Sequence, residues 1–240
     1  MTQKIALFVT CLVDQMFPEV GVAAVRLLRR GGYQVEFPMQ QTCCGQPFSN
    51  SGFVPQSQGL ARQTIEILEP YDAVVIPGGS CTGMIRKEYP HLLEDLPDWH
   101  QRASQIGKKC FELSEFLAEN VPLQPKSNQT LTVTYHDSCH MLRMAGIKDQ
   151  PRRLLKQVGC EVREMEEADR CCGFGGLFSV RMRHVSRSMT GYKLTRATDS
   201  GADVLVTSDP GCLMQMRASQ TSDFSLRIEH LAVVLEEMAQ

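Results

Sequence analysis

Short apolar runs alternate with longer stretches of helical periodicity from one end of the chain to the other. Ile5 to Val9 reads as a buried strand, Tyr33 to Phe37 as the next and Ala73 to Ile76 as a third. Between the first two, Pro18 through Arg30 predicts a helix. Pro18 suits its first turn, Val22, Val25 and Leu28 form an apolar stripe, and Gly31-Gly32 suits its end. Ser57 to Leu68 predicts a further helix with Ser57 as its N-cap. Lys109 to Leu117 predicts a strand running into a short helix. The same order then recurs: strand Leu131 to Tyr135, helix Pro151 to Val158 with Asp149 as cap, and a weak strand Val162 to Met165. A mostly helical stretch, Leu177 to Thr198, precedes strand Val204 to Thr207, and Leu226 to Leu235 gives a last strand and helix. Strand–helix alternation of this kind predicts an α/β chain of two tandem Rossmann-like units, each a mostly parallel sheet flanked by helices. A polar stretch, Gln124 to Thr130, has linker composition, so the first unit is expected to span residues 1–125 and the second 126–240.

The cysteines follow the duplication. From Cys11 to the first residue of the pair Cys43-Cys44 is 32 positions, and from Cys139 to the first of Cys171-Cys172 is again 32. Glycine follows each pair, and one more cysteine follows each glycine, 37 positions after Cys44 (Cys81) and 40 after Cys172 (Cys212). Arg26-Leu27-Leu28 with Gly32 and Val35 is matched by Arg153-Leu154-Leu155 with Gly159 and Val162, and Asp72 lies nine positions before Cys81 as Asp203 lies nine before Cys212. Every one of these cysteines comes after the carboxyl end of an expected strand. In a parallel sheet those ends share one edge, where ligands bind. Four thiols distant in sequence are therefore expected to converge in each half, with helix starts nearby favouring thiolate.

Composition narrows the chemistry. The chain has 240 residues, 42% hydrophobic and 22% charged, with a formal net charge of -2, which gives no footprint for nucleic acid or an acidic membrane. No apolar run is long enough to cross a bilayer, and the start of the chain has no secretory cleavage pattern, so a cytoplasmic location is expected. Ten cysteines in a reducing compartment point to metal ligands or redox chemistry rather than disulfides. Cys11, Cys43, Cys44 and Cys81, and again Cys139, Cys171, Cys172 and Cys212, suit an iron–sulfur cluster or zinc. Adjacent cysteines reach two atoms of a larger cluster more easily than one ion, which favours iron–sulfur, one or two clusters per chain, with zinc in one half as the alternative. Cys110 and Cys160 stand outside the repeat and read as small buried hydrophobes.

Tyr135-His136-Asp137-Ser138-Cys139-His140 with Arg143, and Cys171-Cys172-Gly173-Phe174-Gly175-Gly176, together with the spacing of the eight cysteines, resemble the CCG cysteine-rich domain family over nearly the whole chain. Its members include the B subunit of heterodisulfide reductase and the iron–sulfur subunit of glycolate oxidase. The resemblance implies that the eight cysteines bind clusters, most simply [4Fe-4S]. It also implies an electron-transfer subunit of a multi-protein oxidoreductase that takes part in L-lactate oxidation to pyruvate, beside a ferredoxin-like iron–sulfur protein and a third subunit. The fuller family motif ends in Cys-x-x-Cys, whereas here the stretches are Cys81-Thr82-Gly83-Met84 and Cys212-Leu213-Met214-Gln215. The missing fifth cysteine argues against a thiol–disulfide reductase, and a zinc-stabilised structural or assembly protein is the other alternative. No flavin or nicotinamide fingerprint is present, so catalytic residues are not identified.

His136 and His140 flank Cys139, and either is a ligand or, more often for such residues, a hydrogen-bonding support. Asp137 and Arg143 suit a salt bridge or a small hydroxy-acid site in which Arg143 grips a carboxylate. The glycines 173, 175 and 176 let the chain pack close to a cluster, and Arg181, Arg183, His184 and Arg187 form a solvated face open to an acidic partner.

Overall fold

The computed structural model describes residues 4–221, 224 and 226–240. Two four-stranded sheets, every strand pair parallel, build the two halves. The first contains β1 (Lys4–Leu7), β2 (Gln34–Glu36), β3 (Ala73–Ile76) and β4 (Cys110–Glu112) in the order β2-β1-β3-β4. The second contains β5 (Thr132–His136), β6 (Glu161–Val162), β7 (Val204–Thr207) and β8 (Arg227–His230) in the order β6-β5-β7-β8. Direction along the sheet reverses between β1 and β3 and again between β5 and β7. Such a switch point opens a crevice at the carboxyl ends of the strands.

Side-chain alternation explains why helices cover both faces of the first sheet. Ile5, Leu7, Ala73 and Val75 point into one apolar cluster with Leu27, Leu28, Phe116 and Leu117. Ala6, Phe8, Val74 and Ile76 point into another with Ala61, Ile65, Ile106 and Leu93. Residues buried on both faces give the unbroken apolar run of β3. The first cluster does not stop at the half. It continues through Val133, Tyr135, Leu154, Leu155, Val204, Leu205, Val206, Leu213 and Leu235 of the second sheet and its helices. Helix Pro18–Arg30 packs on helix Leu231–Met238, where Arg26 and Arg30 both reach Glu236. The linker is pinned to the chain's last residues: Lys126 donates to the Met238 carbonyl at 2.7 Å, and Gln240 donates to the Gln124 carbonyl at 3.1 Å.

Helix Pro18–Arg30 has the expected bounds. Other expectations need correction. The helix expected from Ser57 begins at Val54, so Ser57 caps nothing. It is buried inside the helix and its hydroxyl donates to the Gly45 carbonyl. Asp149 is the first residue of its helix rather than its cap, and the Val162 strand is only two residues long, Glu161–Val162. The stretch Leu177 to Thr198 breaks at Met182 into helices Leu177–Arg181 and Arg183–Asp199. Several helices lie outside the expected elements, among them Cys11–Met16, Pro97–Lys109 and Pro210–Ala218. Cys11–Met16 buries only Val13, and Pro97–Lys109 buries only Ala103 and Ile106. Two π-helical turns, Met84–Glu88 and His140–Met144, follow Cys81 and Cys139. The second of them packs against the short helix Gly79–Gly83, and a Cβ on Gly79 would lie 2.6 Å from the Met141 Cβ.

Candidate metal centres

Cys11 opens the helix after β1, with Thr10 as its cap, and Cys81 lies in the short helix after β3, so the two flank the first switch point. Cys43 and Cys44 arrive from the loop beyond β2. The second half repeats this with Cys139 after β5, Cys171-Cys172 beyond β6, and Cys212 in the helix Pro210–Ala218 after β7. All ten cysteines are free thiols.

In the first half the sulfurs form a chain. Cys11 Sγ is 3.8 Å from Cys43 Sγ, Cys43 interacts with its neighbour Cys44, and Cys44 Sγ is 3.2 Å from Cys81 Sγ. In the second half Cys139 meets Cys171, Cys171 meets Cys172, and Cys172 Sγ lies 3.1 Å from Cys212 Sγ. Each chain has two half-exposed members (Cys11 and Cys43; Cys139 and Cys171) and two buried ones (Cys44 and Cys81; Cys172 and Cys212). The hydrogen bond from Cys11 holds the Cys43 thiol down at about 3, and that from Cys139 holds Cys171 down at about 2. Each of these bonds favours thiolate, the form that binds metal, at one sulfur per half. The two outliers behave as core: Cys110 is buried in β4, where desolvation raises its thiol to about 12, and Cys160 is buried before β6.

Glycines give each chain of sulfurs its cradle. Gly45 and Gly173 follow the cysteine pairs with φ of 85° and 91°. Gly173 donates its N–H to Cys171 Sγ at 3.4 Å. Helix Arg183–Asp199 is tied to this turn by Ser186 Oγ donating to the Gly173 carbonyl and Thr190 Oγ1 donating to that of Cys172, both at 2.8 Å. Asp209 links the two centres. It caps the Cys212 helix by accepting from Gly211, and its other oxygen accepts the Ser80 N–H beside Cys81 at 2.8 Å. The Asp-Pro-Gly run before Cys212 signals the cap, but nothing local signals the bond across the halves.

The histidines separate. His140 reaches only the exposed side, its Nδ1 3.6 Å from Cys139 Sγ. His136 is fully buried, neither ring nitrogen has a hydrogen-bond partner, and burial lowers its pKa to about 3, so the ring is neutral. One of its nitrogens and the sulfurs of Cys172 and Cys212 lie within 4.8 Å of one another. Buried Lys193 stands nearby, its ammonium donating to the carbonyls of Glu167 and Ala168.

Asp137 does not pair with Arg143. Its two oxygens take the guanidinium of Arg152 at 2.8 and 2.9 Å, Glu164 takes the same group from outside, and the cation lies 5.1 Å from the centre of the Tyr135 ring. Arg152→Leu would leave the Asp137 carboxylate, 3% exposed, without its cation. The expected cost is about 2 kcal/mol, less than for a fully buried pair because Glu164 is in water. Urea midpoints should show it, and Asp137→Asn in the same chain should recover part of the loss. Arg143 instead lines a basic cleft of about 470 Å³ with Arg86, Lys87 and Lys108.

Glu112 and His230 end β4 and β8 at matching places, and each caps the helix that follows, Leu113–Asn120 and Leu231–Met238. Burial raises the Glu112 carboxyl from 4.5 to about 7, while Ser114 donates to it through both backbone and hydroxyl. A carboxyl raised on folding stabilises fully below its unfolded pKa, and that contribution disappears as pH rises through the folded one. Melting temperature is therefore expected to fall between about pH 4.5 and 7 in part through Glu112. Glu112→Gln should flatten that slope, and a slope identical to the parent's would refute the assignment.

The CCG cysteine-rich domain model matches residues 5–86 and 133–217, one match in each half. Lactate utilization protein A of Geobacillus kaustophilus (strain HTA426) is 42% identical over 236 residues, covering 97% of this chain and 98% of that protein. The protein of the same name from Bacillus subtilis (strain 168) is 41% identical over 235 residues, with 97% and 98% covered. Among solved structures, a hypothetical protein from Helicobacter pylori superposes with a TM-score of 0.60 at 11% identity, over 98% of this chain and 49% of that one, which speaks to the fold alone. With both halves matched by the family model, and with full-length relatives above 40% identity, the chain belongs to the CCG cysteine-rich domain family.

Proposed function

We propose that the chain is an iron–sulfur electron-transfer subunit of a multi-protein oxidoreductase that takes part in L-lactate utilization, the oxidation of L-lactate to pyruvate. The observation that carries this reading is the gathering of eight free cysteines into two sulfur chains at the two switch points. The name that the full-length relatives share supports the metabolic setting. Cys11, Cys43, Cys44 and Cys81 hold one centre and Cys139, Cys171, Cys172 and Cys212 the other. Four thiolates per half, with no fifth cysteine, suit [4Fe-4S]. Such a cluster supplies one-electron redox chemistry. The protein's share is to bury Cys44, Cys81, Cys172 and Cys212, to offer the Gly173 N–H to a ligand sulfur, and to join the centres through Asp209.

No helix among the described residues is long and apolar enough to cross a membrane. The cytoplasm, a ferredoxin-like partner and a third subunit complete the reading, with residues 1–125 and 126–240 as the two units. The basic cleft around Arg143 has the charge to take the carboxylate of a small hydroxy acid. Zinc remains a second reading for the second half alone, because one nitrogen and two sulfurs close enough for a single ion occur there.

Metal and acid-labile sulfide analysis of protein purified without oxygen, with a visible spectrum, tests the proposal. Iron and sulfide in matching amounts, with a brown chromophore that bleaches on reduction, is the expected result. Zinc without sulfide in both halves would overturn it.

A further inference from the structure

We infer that His136 is a nitrogen ligand of the metal at the second centre, in place of one of the two half-exposed cysteines there, so that the duplicated halves hold chemically unequal centres. This rests on the reading of the cysteines as metal ligands.

The duplication supplies the comparison. His136 lies three positions before Cys139, and Phe8 lies three before Cys11. Both are fully buried, and both stand at the carboxyl end of the strand that leads to the first cysteine. Phe8 packs in an apolar cluster that includes Cys44 and Cys81. A phenyl ring asks for nothing more. The same place in the second half carries an imidazole, which brings one donor and one acceptor into the interior.

Buried polar atoms are paired in almost all proteins, and each that is not calls for a reason. His136 leaves both ring nitrogens unpaired, and one of them stands with the sulfurs of Cys172 and Cys212, all three atoms within 4.8 Å of one another. Among the described residues no other three side chains of ligating type are grouped so closely. In the first half the four sulfurs are strung out without a nitrogen among them. Imidazole and thiolate together are a recognised donor set for iron–sulfur centres and for zinc. A metal at this spot would give a ring nitrogen the partner that the protein withholds.

The test uses the full chain with 15N-labelled histidine, purified without oxygen and loaded with iron and sulfide, both of which are assayed. Pulsed EPR of the reduced protein should show a directly bonded nitrogen on one of two signals. His136→Phe, the residue the first half carries at this place, should abolish that coupling and leave the other signal unchanged. Two loaded centres with no bonded nitrogen, or a coupling that survives in His136→Phe, would overturn the inference. If the chain takes up no iron and sulfide, the cluster reading fails separately. Co2+ added to the reduced apo chain then decides. Binding of one Co2+ weakened at least about tenfold in His136→Phe supports the ligand, and equal binding overturns it. The labelled parent chain reports on the nitrogen without any variant, so a poorly folding mutant does not blur the answer.

Discussion

Serine at both Cys44 and Cys81 should strip the first centre and spare the second, so that iron and sulfide per chain fall by about half. These two sulfurs are the buried end of the first chain, 3.2 Å apart, where no solvent ligand can replace them. Serine keeps the shape, but its hydroxyl stays protonated at neutral pH and binds iron poorly. The matching pair Cys172 and Cys212, 3.1 Å apart, should remove the other half of the metal when replaced. Cys110→Ala is the control. Cys110 is equally buried but lies in β4 outside the sulfur chain, so its loss should leave metal content unchanged and cost only packing. Equal metal content in all three variants would remove the assignment of the eight ligands.

Gly173→Ala is expected to be the most damaging single methyl in the chain. Its φ of 91° is a conformation that an L side chain enters at a cost of roughly 1–2 kcal/mol. The new Cβ would also lie 2.5 Å from the Ser186 carbonyl oxygen and 3.0 Å from Thr190 Oγ1, the residues that tie helix Arg183–Asp199 to the cysteine pair. Backbone on a docked helix cannot turn aside, so overpacking adds about 1–3 kcal/mol. A total near 3–4 kcal/mol should lower the melting temperature by about 10 °C in a chain of this size. The matched Gly45→Ala isolates the steric part. Gly45 has nearly the same φ, 85°, but its nearest neighbour is Ser57 Oγ at 3.3 Å, so it should cost only about half as much. Equal losses at the two glycines would mean that backbone strain alone matters.

Much of this architecture was legible because the chain states it twice. The cysteine spacing carried the convergence of four thiols per half, and the strand–helix order carried the parallel sheets. Helix Pro18–Arg30 was bounded correctly because a proline at its start and two glycines at its end are local signals. Among the helices that escaped, Cys11–Met16 is a six-residue turn set by its Thr10 cap, and Pro97–Lys109 buries only two apolar residues, Ala103 and Ile106. Ser57 illustrates a different failure. It is a good cap by type, but the helix begins three residues earlier and its hydroxyl serves the Gly45 turn. Arg143 was the nearer candidate for Asp137 in sequence, yet the helix Asp149–Gln157 delivers Arg152 to it instead. The Asp209–Ser80 bond joins residues 129 positions apart, and no local pattern encodes it.

The apolar interior that runs from the first sheet into the second makes the molecule one cooperative unit. One apolar cluster is closed within the first half, but the larger one needs both: the helix Pro18–Arg30 leans on Leu231–Met238, and the linker is bonded to the last residues. Free energy of metal binding at either site is therefore shared by linkage across the whole chain. Emptying one centre lowers the melting of the entire protein, so a fault in assembling one cluster is felt as instability of both, and partly loaded chains are the ones a cell's proteases meet first.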